Sequence, residues 1–84
     1  MKYYILTRSY VVVLDTRNDN ESAIYKRSDV RVEVNPFSRV ARPKLTQGWW
    51  RGLIDEDEAK RLSREMKRVR CAYTQAEIIT EGGE

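Results

Sequence analysis

Gly48-Trp49-Trp50-Arg51-Gly52 is where this chain gathers side chains suited to recognition chemistry. Two large aromatic rings beside a guanidinium combine apolar area, π-faces and bidentate hydrogen bonding. That mixture serves protein hot spots and nucleobase stacking alike. Neighbouring residues of an extended backbone point to opposite sides, so the two rings must part company. At least one is therefore a candidate for display to a partner. The packing alternative has one ring plug the sheet–helix core while the other lies partly exposed.

Basic residues surround this segment. Residues 35–54 carry Arg39, Arg42, Lys44 and Arg51 with no acid, and Lys60, Arg61, Arg64, Lys67, Arg68 and Arg70 follow with only Glu65 among them. Eleven of the sixteen bases are arginine, whose planar fork suits carboxylate and phosphate. The candidate partner-binding set is Trp49, Trp50, Arg51, Arg39, Arg42, Lys44, Arg64, Lys67 and Arg68. At helical spacing Lys60, Arg64, Lys67 and Arg68 share a flank that could track phosphates. The same pattern also describes a solvated face, matched to the helix dipole and braced by Glu56–Lys60 and Asp57–Arg61 pairs.

The five residues from Gly48 to Gly52 resemble the Trp-Trp segment of Src-homology-three domains, in which the first Trp lines a groove for proline-rich ligands. The resemblance implies Trp49 as the ligand-facing ring. It ends there: the Ala-Leu-Tyr-Asp-Tyr opening of that family is absent, and a helical pattern follows where the family continues as a barrel.

Catalytic and metal chemistry find little footing. The chain has no histidine and one cysteine, Cys71, which removes the usual Cys/His zinc sites, His-based acid–base catalysis and an internal disulfide. Asp55-Glu56-Asp57-Glu58 point in different directions from a helix start and read as capping residues rather than metal ligands. Arg68 and Arg70 would favour a Cys71 thiolate, but no base or oxyanion motif accompanies it. No Gly-rich phosphate loop of Walker or Rossmann spacing is present. The chain is read as non-enzymatic and without a cofactor.

These side chains need a scaffold, and 84 residues suffice for one small domain. Residues 1–41 are expected to form the sheet, 42–54 a basic loop with the Trp pair, and 55–80 a helix. Lys2–Asp15 has strand composition, apolar on both faces at Val11-Val12-Val13, with Arg8-Ser9 as a bulge or bend. Thr16–Glu21 reads as a hairpin loop, Ser22–Lys26 as a short strand, and Val30/Val32/Val34 as a half-buried strand ended by Asn35-Pro36. Phe37, Val40 and Leu45 are expected to anchor a short strand at 37–41 or an ordered loop, followed by a loop at 42–48. Gly82-Gly83 reads as a frayed tail.

Asp55 as N-cap, Glu58 three residues later and an Ala59/Leu62/Met66/Val69 stripe predict a helix. The stripe stays in register through Tyr73 and Ala76, so the longer reading runs to about Thr80. The shorter ends near Arg70, with a final strand through the β-prone Ile78-Ile79-Thr80. The fold class is α+β: an antiparallel sheet of three to four strands from the N-terminal half, packed on one C-terminal helix. A long helix would leave apolar stripe uncovered, which a homodimer would bury.

No apolar run reaches membrane-spanning length, and the chain is expected to be soluble and cytoplasmic. Its expected role is a small regulatory or inhibitory protein that binds a larger protein or ribonucleoprotein assembly. In size and composition it is like phage and mobile-element accessory proteins, anti-defence inhibitors among them. The alternative is nucleic-acid binding through the basic helix and Arg-rich loop.

Overall fold

The computed structural model describes residues 1–15 and 22–80; the expected hairpin loop at 16–21 and the Gly82-Gly83 tail lie outside them. In chain order the elements are β1 (Lys2–Leu6), β2 (Tyr10–Asp15), β3 (Ala23–Lys26), β4 (Val30–Val34), β5 (Arg39–Ala41), α1 (Glu56–Met66), β6 (Cys71–Tyr73) and β7 (Ala76–Thr80). Five strands form an antiparallel sheet in the order β3-β2-β1-β6-β5, and β4 pairs with β7 in a separate antiparallel ribbon. The class is α+β as expected. The strands exceed the expected three or four because Lys2–Asp15 divides into β1 and β2 and because β6 and β7 come from the C-terminal half.

The first correction falls on Lys2–Asp15, which is not one strand but a tight hairpin with Leu6 opposite Val11. Thr7 makes the turn. Its N–H donates to the Tyr10 carbonyl at 2.9 Å, its hydroxyl donates to the same oxygen at 3.1 Å, and its Oγ1 accepts from the Tyr10 N–H at 2.9 Å. No described non-glycine residue has a positive φ, so the Arg8-Ser9 turn is not of the Asn-Gly kind that advertises hairpins. A buried threonine hydroxyl takes the place of the usual turn bond.

β2 forms the heart of the core. Its alternate residues Tyr10, Val12 and Leu14 cluster with Ile5, Ala72, Leu62 and Met66. Val11 and Val13, of opposite parity, are buried as well, so the sheet is covered on both faces. β4 alternates as read, with Val30 buried and Arg31 and Glu33 exposed. It pairs with β7, however, and Val32 is not part of the cluster around the helix.

The helix starts where the capping pattern puts it and stops early. Asp55 Oδ1 accepts from the Glu58 N–H at 2.8 Å, and Ala59, Leu62 and Met66 are buried. After Met66 the backbone tightens, with Arg68 N–H donating to the Glu65 carbonyl at 3.1 Å and Val69 N–H to that of Met66 at 3.1 Å. The longer helix to Thr80 is therefore overturned in favour of the shorter reading. Tyr73 and Ala76 fit a helical stripe, but β6 pairs with both β1 and β5 and β7 with β4. Those ladders satisfy the backbone while the β-prone side chains pack, and tertiary pairing outweighs local helical periodicity. The uncovered stripe that called for a homodimer disappears with the long helix.

Phe37 does not anchor the core either; it is 95 % exposed. Asn35 Oδ1 accepts from the Phe37 N–H at 3.0 Å, and the Ser38 N–H donates to the Asn35 carbonyl at 3.0 Å. That closes a single helical turn, with Pro36 at its start and the ring outside. The strand expected at 37–41 shortens to β5 for the same reason.

Candidate binding surface

The segment from Thr46 to Leu53 is a run of tight turns enabled by two glycines. Gly48 and Gly52 have φ of 74° and 86°, a region that other residues avoid. A Cβ on Gly48 would also sit 3.0 Å from the Arg51 guanidinium carbon. The Trp50 carbonyl accepts from the Leu53 N–H at 3.0 Å. These turns separate the two rings. Trp49 packs against the core cluster, whereas half-buried Trp50 lies against the solvent flank of α1. The Arg51 guanidinium lies over the Trp50 ring, 6.0 Å from its centroid, at the outer limit of a cation–π contact.

Two clefts flank this loop. One, of about 440 Å³, is lined by Arg42, Lys44, Leu45, Trp49, Met66 and Lys67 among others. The second, of about 380 Å³, is lined by Trp50, Glu56, Ala59, Lys60, Ser63, Arg64 and Lys67. They share Ser63 and Lys67 and so lie side by side, each with one indole, and together they carry five bases against one acid. Arg42 also serves the fold. Its Nη1 donates to the Met66 carbonyl, an oxygen that also accepts from the Val69 N–H, and so ties the loop to the end of the helix.

Six of the nine sequence-derived candidates thus meet here: Trp49, Trp50, Arg42, Lys44, Arg64 and Lys67. Arg51 joins them through its contact with the Trp50 ring. Arg68, just past the end of α1, lines a separate cavity on the opposite side. Arg39 lies apart on β5, at the open edge of the five-stranded sheet, with Nε and Nη2 each 3.3 Å from Cys71 Sγ.

The opposite flank carries residues that sequence reasoning passed over. Glu65 Oε1 accepts from the Ser9 N–H at 2.6 Å, and its Oε2 is 3.4 Å from Arg61 Nε. Arg61 Nη2 donates to Ser9 Oγ at 3.2 Å. Arg61 therefore pairs with Glu65 rather than with the expected Asp57. Burial alone would raise the Glu65 pKa, but hydrogen bonds from Ser9 and Thr7, with the Arg61 charge, hold it below the usual carboxylate value. Nearby, burial followed by the Glu58 charge raises the Tyr10 phenol.

Two cavities open beside this contact. The larger, of about 540 Å³, mixes signs: Arg8, Lys26, Arg27 and Arg61 face Asp57 and Glu58, with Lys26 Nζ 3.9 Å from Glu58. The other, of about 430 Å³, is lined by Arg8, Ser9, Arg61, Arg64, Glu65 and Arg68.

Among the described residues no three Asp, Glu or Cys side chains converge as metal ligands would, and no helix is long and apolar enough to cross a membrane. No protein-family model, curated protein or solved structure matches this chain.

Proposed function

We propose that this chain is a non-enzymatic binding protein that regulates or inhibits a larger protein or ribonucleoprotein assembly by covering an acidic surface on it. The two adjoining clefts carry this reading: between them they present Trp49 and Trp50 with Arg42, Lys44, Lys60, Arg64 and Lys67. Aromatic anchors ringed by bases suit an acidic protein surface with apolar contacts at its centre. A base-stacking platform needs open π-faces. Here Trp49 packs on the core and Trp50 is half-buried with Arg51 over its ring, which favours protein over nucleobases. An anti-defence role of the phage accessory kind rests on likeness of size and composition alone.

Nucleic-acid binding is the second reading. One observation favours it: Arg64 also lines the arginine cavity on the other flank, so the basic surface continues across the helix. Fluorescence anisotropy with single- and double-stranded oligonucleotides at about 50 and 200 mM salt separates the two, since phosphate contacts fade steeply over that range. The protein reading expects no micromolar binding at the lower salt. Micromolar binding that collapses at the higher salt and survives Trp50→Ala would give the second reading first place.

A further inference from the structure

We propose that the cavity between the β1–β2 turn and α1 is a phosphate-binding site, built by Arg8, Arg61, Arg64 and Arg68. The site adjoins the Trp50 cleft through Arg64 but is distinct from both tryptophan clefts, because Arg8 and Arg68 line this cavity and neither of those.

Four guanidinium groups and a single carboxylate line about 430 Å³. The carboxylate is already engaged: Glu65 accepts from the Ser9 N–H and pairs with Arg61. Among the described residues Arg8, Arg64 and Arg68 have no carboxylate within ion-pair distance. Arg8, Ser9 and Arg61 also line the adjoining cavity with Asp57 and Glu58, but there Lys26 and Arg27 add to the bases and Lys26 lies 3.9 Å from Glu58. The cleft therefore keeps an excess of positive charge on a concave surface, which concentrates anions.

Dipole matching near a helix C-terminus accounts for Arg64 and Arg68, but not for Arg8. That residue comes from the β1–β2 turn, which the Ser9–Glu65 bond holds against the helix. Arg61 is oriented from two sides, by Glu65 and by Ser9 Oγ, and keeps N–H groups beyond those two contacts. A partly fixed guanidinium among three unpaired ones suits a multidentate oxyanion, and phosphate offers the matching oxygens. The recognition chemistry is the same for a free phosphate and for one carried on a nucleic-acid backbone.

The test uses the full chain and inorganic pyrophosphate, titrated by calorimetry at constant ionic strength and monitored by the Nε–Hε resonances of arginine. The site predicts a Kd of about 1 mM or tighter, weakened about tenfold by Arg8→Gln or Arg68→Gln and unchanged by Arg31→Gln on β4. Far-ultraviolet circular dichroism checks that each variant is folded. Absence of pyrophosphate binding, or equal weakening by Arg31→Gln, overturns the proposal, since the second result would be charge without a site. A parallel titration with an oligothymidylate names the source. Binding that depends on Arg8 and Arg68 assigns a nucleic-acid backbone, and pyrophosphate binding alone assigns a free phosphate ligand.

Discussion

The Glu65 carboxylate on α1 accepts a 2.6 Å hydrogen bond from the backbone N–H of Ser9, 56 residues earlier in the chain. This contact fastens the β1–β2 turn to the helix. Around it the Arg27 N–H donates to the Ser9 carbonyl at 2.8 Å, and Arg27 Nη1 donates to the Thr7 carbonyl at 3.0 Å. A turn with no glycine is thus held by an acid that in sequence looks like a lone exception in a basic run.

Removing that carboxylate should be costly. Glu65→Ala leaves the Ser9 N–H without its acceptor and is expected to lower stability by about 1.5–3 kcal/mol, the range for bonds to charged groups, measurable by urea unfolding. The pH dependence has a defined sign. The folded-state pKa lies below the ordinary value, so the contribution is complete above the unfolded-state pKa of about 4.3. It is lost as pH falls through the lower folded value. Glu65→Gln should flatten the acid limb of the stability curve, and parallel acid limbs for the two proteins would contradict this role.

Leu62 is 1 % exposed at the centre of the helix–sheet contact. Leu62→Ala should cost about 2–5 kcal/mol, a large share of what a domain of this size has to lose. A loss below about 0.5 kcal/mol, the scale of ordinary surface changes, would mean that this face does not pack on β2.

Asp55 caps the helix through the Glu58 N–H. Asp55→Ala should lower stability by about 0.5–2 kcal/mol without weakening partner binding, measured where both proteins are fully folded. A magnesium- or calcium-dependent rise in melting temperature that vanishes in this variant would reveal a ligand role instead.

The two tryptophans should respond differently. Trp49→Ala removes a partly buried ring packed on the core and is expected to cost about 3 kcal/mol, the lower end of the range for buried aromatic rings. Trp50→Ala should leave the melting temperature nearly unchanged while weakening partner binding by about 2 kcal/mol or more, as hot-spot aromatics do. Thermal melts and binding titrations on the same two variants check both statements.

Much of this architecture is legible in local sequence because local rules govern it. The Asp55 cap, the Ala59/Leu62/Met66 stripe and the Val30/Val32/Val34 alternation each depend on neighbours a few residues away. The misreadings have two causes, contacts distant in sequence and short-range side-chain bonds that carry no usual turn signal. Tyr73 and Ala76 fit both a helix and a strand, and pairing with β1, β5 and β4 decides between them. Thr7 hides a hairpin because its hydroxyl supplies the turn bond without a glycine or asparagine signal. In the candidate surface, the glycines around the Trp pair mark the run of turns. Nothing local brings Arg8 beside Arg61, because the Ser9–Glu65 bond spans most of the chain.

Capture of binding partners from a plausible host lysate, with and without nuclease and with wild-type protein beside Trp50→Ala, tests the central claim most directly. A binding protein of the proposed kind should capture a protein or ribonucleoprotein assembly that is retained after nuclease treatment and lost with Trp50→Ala. Release of all captured material by nuclease, with Trp50→Ala capturing as much as wild type, would contradict it.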